Sequence, residues 1–226
     1  MRVSSFDTPA VLRPFRQIAT DGSQLSNEQT SISMKNLWAC GLLLASLTSC
    51  TKNEAVKPAE NPITTLLSEQ APALTLVQIR GNSFREMGVV FSSAVAGKLT
   101  QVGSQLPDAG IYAVTIWDFD SGQLLQQKTV EQEVPDKLTL IDTDVMPLTI
   151  NKKYVISINN KSGVRPQGAF TQAFKKSGGN ILPDTKGSIT LHGSRYSSSS
   201  IATFPTTTLN QFSLLNGVPE FTFIPD

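Results

Sequence analysis

Few residues in this chain could carry out chemistry. A serine hydrolase needs an imidazole to take the proton of its nucleophile, and the 226-residue chain has one histidine, His192, in the run Ser188–His192. In an extended run Ile189 and Leu191 share one face, so Thr190 and His192 occupy the other, wetter face. The expectation is a solvated strand histidine, not a catalytic base. Glycosidic cleavage needs two carboxyl groups facing each other across about 5–10 Å. Asp118 with Asp120, and Asp142 with Asp144, are close acidic pairs, but each pair leaves a regular strand on the same side. Same-side carboxylates at a turn cap backbone amides or hold a hard cation. For Asp118 and Asp120 the hairpin turn Asp120-Ser121-Gly122 is the simpler reading, and a weak calcium site is the alternative. No Gly-rich phosphate loop, CxxC or HExxH pattern occurs. The chain is therefore expected to be non-enzymatic and to need no cofactor.

Carbohydrate binding suits these side chains better. Sugar recognition by sandwich domains uses exposed aromatic rings with polar groups beside them. The candidates are Trp117, Tyr196 and Tyr112. Tyr112 and Trp117 differ in parity along one run, so an inward Tyr112 turns Trp117 outward. A core position for Trp117 is the competing reading, because large aromatics are mostly buried. Tyr196 lies beside the serine run Ser197–Ser200 and is read as a loop tyrosine. Nucleic acid is not an expected partner: 19 Lys+Arg against 18 Asp+Glu leave a net charge of +1, and phosphate binding needs clustered cations.

The address is written in residues 34–50. Met34, Lys35 and Asn36 form a short positive region, and Leu37–Leu47 is an uncharged stretch of 11 residues. Spanning a bilayer by a helix takes about 20 apolar residues, so this stretch has the length of a signal-peptide core and not of an anchor. Leu47-Thr48-Ser49-Cys50 follows it directly and resembles the lipobox of bacterial lipoproteins, which implies cleavage before Cys50 and diacylation of its sulfur. Residues 1–33 fit no targeting pattern and are read as an upstream extension, with Met34 the true initiator. The mature chain, Cys50–Asp226, would have 177 residues with 15 basic and 15 acidic side chains. Cys40 would leave with the signal, so its fold would hold without a disulfide. Residues 50–72, with Pro58, Pro62 and Pro72, read as the lipidated cysteine and a flexible tether. Lys52-Asn53-Glu54 is a partial likeness to the surface-export signal of Bacteroidetes-type lipoproteins. Thr51 stands where an aspartate would resemble an inner-membrane retention signal. An outer-membrane lipoprotein facing the periplasm or the cell surface is expected.

Residues 73–226 carry the pattern of an all-β domain. Tyr112, Val114 and Ile116 alternate with Ala113 and Thr115; Tyr154, Ile156 and Ile158 alternate with Val155, Ser157 and Asn159; Phe221 and Phe223 flank Thr222. Further strands are expected over 84–91, 98–104, 124–130, 137–142 and 188–192, separated by turn residues such as Pro107-Asp108-Ala109-Gly110. Strands this frequent, with no long helical period between them, predict an antiparallel β-sandwich. The stretch 164–180, where Phe170 and Phe174 stand four apart, is read as a short helix or loop.

The order of several short motifs resembles an uncharacterised bacterial β-sandwich family, the domain of unknown function 4082. Glu86-Met87-Gly88-Val89-Val90-Phe91 resembles its E-L-G-V-x-F strand, and Gly97-Lys98-Leu99-Thr100 its G-K-I-T turn. Ile111–Asp118, Met146–Ile150 with Tyr154–Ser157, Phe204-Pro205-Thr206 and Glu220–Phe223 are similar to later elements of that family. The chain departs from the family where a G-W-Q segment is replaced by Val134-Pro135-Asp136-Lys137, and where an N-Y-W run is Asn210-Gln211-Phe212. The resemblance implies a jelly-roll-like sandwich in the company of secreted, carbohydrate-active or adhesive proteins, and it implies no catalytic residues. Two functions are expected from these readings. One is a lipid-anchored module that binds glycan or another envelope polymer. The other is a structural or assembly module docking onto a partner envelope protein through a sheet face or edge.

Overall fold

In a computed structural model, residues 57–163 and 165–226 are described. The extension 1–33, the signal 34–49, Cys50 and the start of the tether lie outside the described residues. In chain order the described residues form helix α1 (Pro62–Gln70), a 3-10 turn (Ala71–Ala73) and strands β1 (Leu74–Gly81), β2 (Arg85–Ser93), β3 (Gly97–Ser104), β4 (Gly110–Asp118), β5 (Leu124–Gln132) and β6 (Thr139–Leu148). They continue with β7 (Lys153–Asn159), β8 (Gly168–Lys175), β9 (Asp184–Lys186), β10 (Ile189–Ser198), β11 (Leu215–Asn216) and β12 (Glu220–Pro225). The strands pair antiparallel in three sheets: β5-β4-β7-β2-β10-β9, β12-β3-β6 and β1-β8-β11. One helix among so many strands makes the domain the all-β sandwich that the alternation predicts.

Alternation sets the inner face of the six-stranded sheet. Met87, Val89 and Phe91 of β2 stand opposite Ile158, Ile156 and Tyr154 of β7, and Val114 and Ile116 of β4 stand opposite the same Ile158 and Ile156. All are buried in one core, which Leu99, Val102, Phe221 and Phe223 enter from the second sheet and Phe170, Ala173 and Leu215 from the third. Phe91 links the layers, its ring 5.7 Å from that of Tyr154 and 4.4 Å from that of Phe221. In β10 a bulge between Leu191 and Gly193 shifts the register. The extra residue resets the parity, so Ile189 and Leu191 before it and Ser194 and Tyr196 after it lie on the core side.

Two expectations are corrected here. The tether reading of residues 50–72 fails for its second half, because Pro62–Gln70 is helical and buries Ile63 and Leu66 in the core. The proline that suggested a spacer is the first helical residue, where its missing N–H is no loss. The N-terminus of α1 is closed by a side chain distant in sequence: the Glu220 carboxylate accepts from the amides of Ile63 (3.4 Å), Thr64 (2.5 Å) and Phe221 (2.9 Å). Glu220→Ala leaves these amides without their acceptor and is expected to lower stability by about 1–3 kcal/mol in urea unfolding, with a fall in far-ultraviolet helical signal. An unchanged midpoint would show that water replaces the carboxylate. The second correction is the stretch 164–180: Phe170 and Phe174 belong to strand β8, paired with Ile79 and Thr75 of β1. A spacing of four returns to one face in a strand as well as in a helix.

Candidate functional site

The outer face of the six-stranded sheet holds what the inner face cannot: charge. Strand parity places Glu86, Val90 and Ser92 of β2, Lys153, Val155, Ser157 and Asn159 of β7, Thr115 and Trp117 of β4, and Arg195 of β10 on this side, as their cross-strand pairings show. Much of the face is not in water. Val90, Trp117 and Val155 form a second buried cluster against Phe119, Ala202 and Phe204, so part of the segment after β10 roofs the sheet.

Beneath that roof is a buried polar chain. Trp117 Nε1 donates to Ser157 Oγ at 2.7 Å, Ser157 Oγ donates to Glu86 Oε1, and Asn159 Nδ2 donates to Glu86 Oε2 at 3.0 Å. Asn159 Nδ2 also reaches the carbonyls of Ser199 (3.2 Å) and Ile201 (3.1 Å), tying the roof to the sheet. Gly88 sits beside this chain with the neighbouring strand close against it: a Cβ there would stand 2.8 Å from the Ile156 carbonyl oxygen and 2.9 Å from Val155 Cγ1. Burial pushes the Glu86 carboxyl up to about 7, against the opposing pull of its Ser157 and Asn159 hydrogen bonds and of the Thr203 amide.

Next to the roofed part the face opens into a depression of about 210 Å³ lined by Val90, Phe119, Lys153, His192, Arg195 and Phe212, with Gly193 and Gln211. The strands explain its composition. Lys153 precedes the inward Tyr154, Arg195 precedes the inward Tyr196, and Phe119 shares the parity of Trp117, so each faces out. His192 is the residue at the β10 bulge, and its Nε2 lies 2.8 Å from Ser92 Oγ. The Phe119 ring holds two cations: the Lys153 ammonium at 5.6 Å and the Arg195 guanidinium at 5.1 Å from its centroid. Arg195 also stands 5.5 Å from the Phe204 centroid. Phe212 is 42% exposed at the rim, and its segment is pinned to β10 by the Ser194 amide donating to the Gln211 carbonyl at 2.7 Å. Partial burial lowers the His192 imidazole, with the Lys153 charge adding to the effect, and burial also lowers the Arg195 guanidinium.

All three aromatic candidates are placed elsewhere. Trp117 faces outward as its parity predicts, yet only 5% of it is exposed, and Phe204 meets its ring edge-on at 6.0 Å. It offers no open platform for a sugar. Tyr112 is 1% exposed in the inner core and donates its hydroxyl to the Asp108 carbonyl at 2.8 Å. Tyr196 is not a loop residue: it lies in β10, packs against the main core and bridges to Thr207, with the Arg85 guanidinium 5.5 Å from its ring. The three rings do not converge, because parity and the bulge send two of them inward.

Asp118 behaves as a turn residue. Its Oδ1 accepts from the Asp120 amide (3.1 Å), the Ser121 amide (2.9 Å) and the Ser121 hydroxyl (2.9 Å), and its Oδ2 pairs with Lys152 at 2.6 Å. The Lys152 ammonium and the turn donors hold this carboxyl well below its usual range. Gly122, with φ +67°, completes the turn and its amide donates to the Asp118 carbonyl. Both Asp118 oxygens are thus engaged by protein groups, the Lys152 ammonium among them, and Asp120 is exposed. Among the described residues no group of three His, Cys, Asp or Glu is placed to hold a metal. Asp142 accepts from Gln101 and Asp144 pairs with Lys128, both on the exposed strand β6.

Sequence reasoning missed Lys153, Arg195, Phe119, Phe212 and Ser92. The outward parity of Ser92 and Lys153 was readable, but the β10 bulge reverses that of Arg195, Phe212 lies outside the strands, and five separate chain segments supply the set. No protein-family model matches the chain, and no curated protein matches it.

Proposed function

We propose that this chain is a non-catalytic, lipid-anchored β-sandwich of the bacterial cell envelope that binds glycan or another envelope polymer through the depression at Phe119, Lys153, His192, Arg195 and Phe212. The observation that carries the reading is the combination in that depression: aromatic rings beside hydrogen-bonding and charged groups on a rigid sheet face. The lipobox at Leu47–Cys50 and the likeness to domain of unknown function 4082 supply the envelope setting, as an outer-membrane lipoprotein facing the periplasm or the cell surface. Among the described residues no helix is long and apolar enough to cross a membrane. The Ser92–His192 pair resembles part of a hydrolytic dyad, but the charge beside His192 is the Lys153 ammonium. A cation there disfavours the imidazolium that base catalysis must form, the opposite of the aspartate of a triad.

A glycan-array screen of the full-length chain in detergent tests the reading, with Phe119→Ala and Phe212→Ala as probes. Saturable binding that weakens about tenfold or more in either variant is expected, since a few ring contacts dominate such sites. Binding indifferent to both changes would remove the depression from consideration.

A second reading, an assembly module docking onto an envelope protein, is favoured by strand β1. It is the edge of its sheet, its Leu76 is 58% exposed, and a groove of about 280 Å³ lined by Leu67, Leu76, Gln78 and Val218 runs beside it. An unpaired edge with apolar side chains suits strand addition by a partner. Proline at position 76, whose amide points away from β8, blocks such pairing and would abolish partner capture if this reading holds.

A further inference from the structure

We infer that the ligand of this depression is an anionic saccharide unit, whose carboxylate or sulfate group is held between Lys153 and Arg195 while its ring lies against Phe119 or Phe212. The inference deepens the glycan-binding reading and rests on it. Two cations converge on one phenyl ring from β7 and β10, so their charged groups lie no more than about 11 Å apart. Among the described residues neither forms an ion pair with a carboxylate. The contrast with the adjacent Lys152 is direct, because its ammonium is paired with Asp118 at 2.6 Å. A partly buried guanidinium without a counter-ion is electrostatically unfavourable and is relieved by an anion.

The remaining lining decides what kind of anion. Arg195 lies near two rings, Phe119 and Phe204, which restricts its planar fork, and that fork matches the paired oxygens of a carboxylate or sulfate. His192, held by Ser92 behind it, and Gln211 supply further hydrogen-bonding groups at the wall. A free inorganic ion would need only the cations; Phe119 and Phe212 add an apolar surface suited to the C–H face of a sugar ring. The volume of about 210 Å³ is below the roughly 300–1,000 Å³ of pockets that enclose drug-sized ligands. It fits one sugar unit of a longer polymer.

The test is calorimetric titration of the full-length chain in detergent with four probes: an oligogalacturonate, a sulfated oligosaccharide, a neutral gluco-oligosaccharide of equal length, and sodium sulfate. The expected result is saturable binding of an acidic oligosaccharide, at least about tenfold tighter than the neutral one. That binding should weaken at high salt and fall about tenfold in Lys153→Gln and in Arg195→Gln. Melting temperatures of the two variants at or above that of the wild type would show that the loss is not unfolding. Neutral and acidic oligomers binding equally well would overturn the inference and leave the glycan-binding reading standing. Sodium sulfate competing as strongly as the sulfated oligosaccharide would overturn the saccharide as ligand. No binding of any oligosaccharide would overturn both.

Discussion

Between pH 4.5 and pH 8 the variant Glu86→Gln is expected to gain about 3 kcal/mol of unfolding free energy relative to the wild type. The folded-state value of Glu86, about 7, lies above the 4.5 of an ordinary glutamate. Below pH 4.5 both folded and unfolded chains hold the proton, and Glu86 adds no pH dependence. Between 4.5 and 7 the unfolded chain releases its proton while the folded chain keeps it, so the wild type loses stability as pH rises. Above 7 both are ionised and the loss is complete. Glutamine cannot ionise, so its curve lacks this fall, and it can still offer an oxygen to Asn159 and an amide to Ser157. Taking the difference between the two proteins cancels the other titrating groups, including Glu220, which burial also raises. Urea unfolding followed by fluorescence at four or five pH values measures it; parallel curves would mean that Glu86 titrates as an exposed acid and that the roof does not exclude water from it.

Alanine at position 117 is expected to destabilise the domain by about 3–5 kcal/mol, within the range for buried aromatics cut to alanine. The indole packs with Val90 and Val155 and against Phe204, and its loss leaves a void under the roof. It also takes away the donor to Ser157 Oγ. Trp117→Phe keeps one ring in place but loses the N–H and the rest of the indole, so a smaller loss of about 1–3 kcal/mol is expected for it. A urea midpoint for Trp117→Ala close to that of the wild type, together with lost glycan binding, would restore Trp117 as a surface platform and undo the assignment of its role to Phe119 and Phe212. The indole and Glu86 share one hydrogen-bonded chain through Ser157, so their substitutions are expected not to add.

The strands were legible where one face is apolar and the other mostly polar, even where the polar face is covered in the fold. Tyr112, Val114 and Ile116 in β4 and Tyr154, Ile156 and Ile158 in β7 alternate cleanly, because the other face of each strand carries Ala113, Thr115, Ser157 and Asn159. Strand β1 was not legible: Leu74, Leu76, Val77 and Ile79 are apolar on both parities, as befits an edge strand flanked by a groove. Helix α1 was hidden by Pro58, Pro62 and Pro72, although Ile63, Leu66 and Leu67 already stand at helical spacing. The β10 strand was cut short at His192 because its bulge breaks the period that a simple alternation follows.

What the sequence by itself determined is which residues share a face: covalent geometry forces successive side chains of a strand to opposite sides, so Trp117, His192 and Lys153 were bound to lie opposite the core. Tertiary structure alone decided which of those outward residues meet water. Phe204, 87 positions after Trp117, closes over the indole and removes it from solvent, while Lys153 and Arg195 are left at an open depression without a carboxylate partner among the described residues. Cover of that kind depends on contacts between distant segments, and no local periodicity encodes them.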